Sequence, residues 1–311
     1  MAKKRLVLAL GHDALGTNLP EQKNAVTKTA KAIADFIQDG WQVVITHGNT
    51  PQLGMIHTAL NEFAKNHEGY TPAPMSVCSA MSQGYIGFDL QNAIKDELYL
   101  RGIDHKVSTI ISQVEVDPED PAFYHPTKPI GRFMTREEAI KKEAKGIPCV
   151  EDSGRGYRQV VASPKPKRIR ELQTIRTLVN AGHIVVTCGG GGIPVVQKDG
   201  KLVGVNAVID KDSASSLLAQ KLDAEYLVIL TAVEKVAIHF GKPDQQWLSE
   251  LTVEEAKKYM AEGEFPAGSM LPKIEAAVQF AESKKGRKTL ITQLEKAAEG
   301  IEGRTGTVIH V

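Results

Sequence analysis

Cysteine is scarce and unpatterned. The three residues, Cys78, Cys149 and Cys188, are odd in number, widely separated and never spaced CxxC, which argues against a disulfide framework and a thiolate zinc site. Free core thiols are expected instead. An excess of one charge is also missing. Thirty-eight Lys and Arg stand against 37 Asp and Glu, a net charge of +1. A broad electrostatic grip on nucleic acid or an anionic membrane therefore has no compositional basis, and any anion site must be local. No apolar run approaches the ~20 residues of a membrane-spanning helix. The first, Leu6-Val7-Leu8-Ala9-Leu10, follows a basic start and carries no signal-peptide cleavage pattern, so a cytoplasmic protein is expected. Biased tracts are absent. So are GxxxxGK(S/T) and a GxGxxG spelling of the first glycine loop, which disfavours P-loop and Rossmann enzymes.

What is present is an alternation of buried-strand and helix patterns. With 311 residues, 42% of them hydrophobic, the chain can bury the core of one large α/β domain or of two modest lobes. Residues 5 to 10 form a continuous apolar run ending at Gly11, as in a strand covered on both faces. From Pro20 to Asp39 the spacing of Val26, Ala30, Ile33 and Ile37 predicts a helix, stopped at Gly40. The unit repeats with a strand at Val43-Val44-Ile45 and a helix from about Pro51 to Asn66. A helix over Ser79 to Arg101 and a β-branched strand over Val107 to Val116 follow. Pro118, Pro121, Pro126 and Pro129 then break the rhythm, and the region to about Lys165 reads as a protruding lid. Beyond it come a helix over Lys167 to Ala181, a strand over Ile184 to Cys188, and a hairpin turning at Asp199-Gly200. The remaining elements are helices over 212–222 and 268–284, a strand over Tyr226 to Leu230, and strands at 289–291 and 307–309. The fold class is α/β, a three-layer αβα sandwich around a mostly parallel sheet, with a small protruding lid.

Ligands of open α/β sheets lie beyond the carboxyl ends of the strands, and three such ends here carry glycine-rich loops: 11–16, 47–49 and 189–192. Glycine lets backbone amides approach an anion, and the helix start that follows offers unpaired N–H groups and a positive dipole end. A single such loop is as readily a mere turn; the convergence of three points to phosphate. Phosphoryl transfer also needs cations aimed at the transferring oxygens. Lys128 in PTKPIG, Lys211 in IDKD and Lys273 in GSMLPK stand in unusual local settings, although each taken singly reads as a solvated surface lysine.

The segments THGN-x-PQ-x-G, SQGYIG, PTKPIG, EDSGRGYR, SPKP, CGGGGIPV, AVIDKD and GSMLPKIEAA occur in this order, and together the chain resembles the carbamate kinases of the amino acid kinase superfamily from Leu6 to Val308. The resemblance implies a cytosolic homodimer that moves a phosphoryl group reversibly between ATP with carbamate and ADP with carbamoyl phosphate, with Mg²⁺ held by phosphates and water and no dedicated metal ligands. It implies a single domain over 1–311, with an acid-substrate lobe over 1–180, a lid at about 118–165 and a nucleotide lobe over 181–311. Lys128, Asp210, Lys211 and Lys273 would be catalytic. Gly11, His12, Asp13, Gly48, Asn49 and Thr50 would hold the acid, while Gly189, Gly190, Gly191, Gly192, Asp212, Met270 and Pro272 would hold the nucleotide. Arg155 and Arg158 read equally as lid supports pairing with Glu151 or Asp152.

Departures from the family pattern cluster on the acid side. Where the family has Gly-Gly-Asn-Ala, this chain has Gly11-His12-Asp13-Ala14, and Thr50 replaces the glycine of His-Gly-Asn-Gly-Pro-Gln. An anion at position 13, ~4 Å from an anionic substrate, would be repelled by about 4 kcal/mol per unit charge at an effective dielectric near 20. A protonated His12 would offset it. A Cβ at position 12 or 50 is costly if φ is positive there. Arg132 and Asn206 are milder changes. Two alternatives stay open: a kinase for another small acid, and a nucleotide-binding protein without catalysis.

Overall fold

The computed structural model describes residues 4–11, 14–16, 18–152 and 154–311. β1 (Arg5–Leu10) leads to α1 (Leu19–Gln38), and β2 (Gln42–His47) to α2 (Thr50–Asn66) and α3 (Met75–Leu100). β3 (Val107–Thr109) and β4 (Gln113–Val116) follow, then β5 (Lys128–Met134), α4 (Arg136–Glu143), β6 (Cys149–Glu151) and β7 (Tyr157–Val161). The middle of the chain forms β8 (Pro166–Ile169), α5 (Leu172–Asn180), β9 (Ile184–Val186), β10 (Ile193–Lys198), β11 (Lys201–Gly204), α6 (Lys211–Lys221) and β12 (Tyr226–Leu230). The last part forms β13 (Val236–Ile238), β14 (Gln246–Leu248), β15 (Glu250–Thr252), α7 (Val253–Ala261), α8 (Leu271–Glu282), β16 (Lys288–Thr292), α9 (Ala297–Ile301) and β17 (Thr307–His310).

The main sheet has the order β15-β17-β16-β12-β1-β2-β9-β3. From β16 to β3 all neighbours are parallel, and β17 with β15 runs the other way at one edge. Both faces are dry because the apolar residues of the central strands are buried whichever way they point. Leu6, Leu8 and Leu10 pack with Ile33 and Phe36 of α1 and Ile86 and Leu90 of α3. Val7 and Ala9, pointing the opposite way, pack with Leu218 of α6 and Ile274 and Phe280 of α8. Each fully buried leucine contributes roughly 2 kcal/mol of hydrophobic stabilisation. The three layers and the mostly parallel sheet expected from the sequence are therefore observed.

Local signals fix most boundaries. Asn18 caps α1 by accepting a bond from the Glu21 amide at 3.0 Å, and Pro20 sits in the first turn, where its missing donor costs nothing. Asp199 and Gly200 adopt φ of 49° and 75° in the β10–β11 hairpin, the left-handed pair that such a turn requires. Three expectations are corrected. The strand over 107–116 is two strands in different sheets, because the chain turns at Ser112, which is buried and bonded to Gln83 and Thr187. The helix over 167–181 begins only at Leu172; Pro166–Ile169 pair with β4 instead. Helix α3 starts at Met75, four residues before the expected Ser79, with Pro74 as its N-cap.

Residues 118–165 carry a sheet of their own, ordered β5-β7-β6, with α4 closed by a Thr135/Glu138 capping box. Arg158 donates to Asp152 at 3.0 Å and to the Gly131 carbonyl at 3.1 Å, and both Arg155 and Arg158 lie over the Phe133 ring. Their contacts are thus internal to this segment. Glu151 is not their partner; it accepts from the Gly154 amide.

Candidate active site

At the carboxyl ends of β1, β2 and β12 opens a cleft of about 480 Å³, within the usual range for small-molecule sites. Three helices begin at its wall: α2 at Thr50, α6 at Lys211 and α8 at Leu271. Each presents a positive dipole end. Four lysines, Lys128, Lys211, Lys235 and Lys273, and two aspartates, Asp210 and Asp212, are among its described lining residues, so these leave a net +2 facing an incoming anion.

Lys128, Lys211 and Lys273 come from distant parts of the chain and meet through the two carboxylates, while Lys235 donates to Ser249. Asp210 is the N-cap of α6, accepting from the amides of Asp212 and Ser213 at 2.9 and 3.1 Å with one oxygen. Its other oxygen takes the Lys128 ammonium of β5 at 2.7 Å. Asp212, one residue inside the helix, lies between Lys211 at 2.8 Å and Lys273 at 2.9 Å. Burial alone would raise the Asp212 pKa, but the two ammonium groups outweigh it and hold the carboxyl well below the usual range. Burial pushes Lys211 down from the ordinary lysine value, with Asp212 opposing. An ammonium has three donors, and Lys211 Nζ meets Asp212 Oδ1 outside hydrogen-bond geometry. Its buried donor capacity is therefore unspent, which in a native site signals a ligand.

The loop Gly48-Asn49 is held from below. Asn49 donates to Ser82 Oγ at 2.8 Å, and Ser82 donates to the Ser79 carbonyl of α3 at 2.7 Å. His47 is 1% exposed, and its Nδ1 lies 2.8 Å from the Gly48 carbonyl. That carbonyl only accepts, so Nδ1 carries the proton. Burial, with a smaller contribution from the Lys211 charge, lowers the His47 pKa to about 4, so the imidazole is neutral at physiological pH.

Gly11, Gly48, Asn49, Thr50, Lys128, Gly190, Asp210, Lys211, Asp212, Met270, Pro272 and Lys273 all line the cleft. His12 and Asp13 lie outside the described residues. Gly189, Gly191 and Gly192 are buried behind the wall. Of the four glycines expected along the phosphates, Gly190 lines the cleft, and a Cβ on Gly189, Gly191 or Gly192 would strike His47, Ile209 or Val114 within 2.4 Å. Thr50 takes the first position of α2 without a positive φ, so its Cβ carries no backbone strain. Arg132 pairs with Glu138, and neither it nor Asn206 is among the lining residues. Lys235, Phe240 and Trp247 line the cleft without having been anticipated. The two aromatics flank a turn and contact edge to face at 6.2 Å; exposed rings beside Gly241-Lys242-Pro243 were the available signal.

A family model described as the amino acid kinase family matches residues 4–293. The chain is 56% identical over 306 residues to a carbamate kinase-like protein, YqeA, of Escherichia coli K12, covering 98% of this chain and 99% of that protein. It is 50% identical over 307 residues to a carbamate kinase of Staphylococcus haemolyticus, with the same coverage. Carbamate kinase from Giardia lamblia bound to AMP-PNP superposes with a TM-score of 0.91 at 38% identity over 99% of each chain. With a family model spanning nearly the whole sheet and relatives matched end to end, the chain belongs to the amino acid kinase family.

Proposed function

We propose that the protein is a carbamate kinase, transferring a phosphoryl group reversibly between ATP with carbamate and ADP with carbamoyl phosphate. The observation that carries this reading is the pair Lys211 and Lys273 flanking one buried carboxylate in the wall of the cleft. In the direction of ATP synthesis, a terminal oxygen of the ADP β-phosphate attacks the phosphorus of carbamoyl phosphate, the bond from phosphorus to the carbamoyl oxygen breaks, and carbamate leaves. The transferring group passes through a loose transition state with charge on its equatorial oxygens, so the protein mainly positions and neutralises. Lys211 and Lys273 serve that charge. Asp212 keeps both ammonium groups aimed, and Asp210 fixes Lys128 as the 118–165 segment closes over the cleft and excludes water.

Gly48, Asn49 and the α2 start receive the acid side. Phe240, Trp247, Met270 and Pro266 supply an apolar end suited to a purine. Mg²⁺ fits as a companion of the nucleotide. Among the described residues no group of three His, Cys, Asp or Glu side chains could hold a metal by itself, whereas two carboxylates line the cleft, and Mg²⁺ commonly takes one or two from protein with phosphates and water completing its shell. When bound it would supply positive charge against the phosphate oxygens.

We place the enzyme in the cytoplasm, in arginine-linked nitrogen catabolism, running toward ATP, as a homodimer joined through the outer face of α3. Val77, Met81 and Phe88 recur there on one exposed face with Gly84 between them, and Ser76 on the same helix abuts Gly204 at the end of β11. A second reading, a kinase for another small acid, is favoured by His12, Asp13 and Thr50 together, where the family pattern has Gly, Asn and Gly. Incubating the protein with ADP, Mg²⁺ and carbamoyl phosphate should form ATP far faster than carbamoyl phosphate decomposes. Lys211→Met should cut that rate by ~10² or more while ADP still binds. ATP formation no faster than the spontaneous decay sinks the carbamate reading, and ADP release on another acid would establish the second.

A further inference from the structure

The tetraglycine Gly189–Gly192 lies against the acid loop, and only Gly190 touches the cleft. β2 and β9 are parallel neighbours, with Ile45 beside Val186 and the Thr187 amide donating to the Ile45 carbonyl. Their carboxyl ends therefore emerge side by side, one carrying His47-Gly48-Asn49 and the other the glycines. A Cβ on Gly189 would fall 2.3 Å from His47 Nε2, and one on Gly190 would fall 2.1 Å from Asn49 Nδ2. Neither side chain can yield. His47 and Asn49 are 1% and 2% exposed, and each is tied by a hydrogen bond, to Gly48 and to Ser82. Behind Gly189, Gln83 donates to its carbonyl at 3.1 Å. The other half of the turn meets the lysine segment, since a Cβ on Gly191 would fall 2.4 Å from the Ile209 carbonyl.

We propose that Gly189 and Gly190 are positioning residues for the acid substrate: their absent side chains make the space in which His47 and Asn49 are seated. One glycine block thereby sets the separation between the Gly48-Asn49 loop and Lys211, whose Cδ already lies 3.9 Å from the Cβ position of Gly48. His47, which is not among the described residues lining the cleft, acts as the wedge that holds the loop. Displacement of a reacting group by an ångström is enough to slow transfer severely.

The kinetic readout of this inference rests on the carbamate reading, and its structural readout does not. Gly189, unlike Gly190 at φ 63°, has no left-handed backbone, so Gly189→Ala tests space alone. Gly189→Ala, His47→Ala and the double variant should be assayed with carbamoyl phosphate, ADP and Mg²⁺, with ADP affinity by calorimetry and the thermal midpoint of each chain. Gly189→Ala is expected to lower kcat/KM for carbamoyl phosphate about tenfold or more, with ADP affinity within about twofold of the parent. The double variant should be no worse than His47→Ala, because the added methyl then enters vacated space. Losses that multiply in the double variant overturn the proposal, as does a Gly189→Ala chain that fails to fold and is not recovered by His47→Ala. Weakening of ADP binding in parallel with kcat also overturns it, since Gly189 would then serve the nucleotide. If the parent forms no ATP from carbamoyl phosphate, the carbamate reading fails separately, and the same non-additivity must appear in the thermal midpoints.

Discussion

Burial of His47 ties the stability of the protein to pH. In the native state the imidazole stays neutral down to about pH 4, whereas an exposed histidine protonates near 6.5. Between those values the unfolded chain binds more protons than the folded one, so this contribution is fully present above about pH 6.5 and is lost as the pH falls toward 4. The whole window amounts to about 3 kcal/mol. Urea midpoints should therefore drop between pH 7 and pH 4.5 in the parent by more than in His47→Gln; equal drops would show that other groups carry the acid sensitivity. Asp212 does not share this window, because Lys211 and Lys273 overcome the effect of its burial and keep it ionised well below the ordinary carboxylate range. At this scale the sequence was informative about residue type. Lysines in IDKD and GSMLPK stood out for their settings, but the single carboxylate joining them comes from a helix start whose neighbours only folding supplies.

Among the elements, the seam between α2 and β5 links both sides of the cleft to the 118–165 segment. A Cβ on Gly54 of α2 would lie 2.9 Å from the Gly131 Cα of β5, so backbone meets backbone there. At one end of the seam Thr50 follows the Gly48-Asn49 loop, and at the other Lys128 reaches Asp210. Gly54→Ala has to push the segment outward, at a cost of about 1–3 kcal/mol for an overpacked contact. We expect faster proteolytic cutting within 118–165 and ATP formation reduced by about tenfold, with circular dichroism unchanged. Parent-like proteolysis and activity would mean that the seam has slack. The prolines from 118 to 129 marked this segment as a break in the α/β rhythm, yet its sheet β5-β7-β6 was not legible: strands of three to seven residues, one carrying a bulge, hold too little period-two pattern. The same brevity hid β13, β14 and β15. The continuous β-branched run 107–116 misled in the other direction, since nothing local reveals that Ser112 is pulled aside by Gln83 and Thr187.

For the whole molecule, the outer face of α3 is the dimer contact we propose. Val77, Met81 and Phe88 are 47%, 46% and 64% exposed, and Gly84 among them has open space where a side chain would stand. Such a stripe with a small residue at its centre suits close approach of a second copy. Met81→Glu with Phe88→Glu should yield a monomer by light scattering while the circular dichroism is kept; an unchanged mass would place the dimer contact elsewhere. The opposite face of α3 carries Ser79, Ser82 and Gln83, which support Asn49 and Gly189. The sequence by itself determined the layered α/β class, the glycine-ended strands and the cationic character of the site, because apolar runs, turn residues and lysine settings are local properties. The tertiary structure alone decided that His47 and Asn49 fill the space of Gly189 and Gly190, and that Lys211 and Lys273 share Asp212. Apart from the adjacent pair Lys211 and Asp212, these contacts join residues far apart in the chain, and their geometry is set by which strands lie side by side in the sheet.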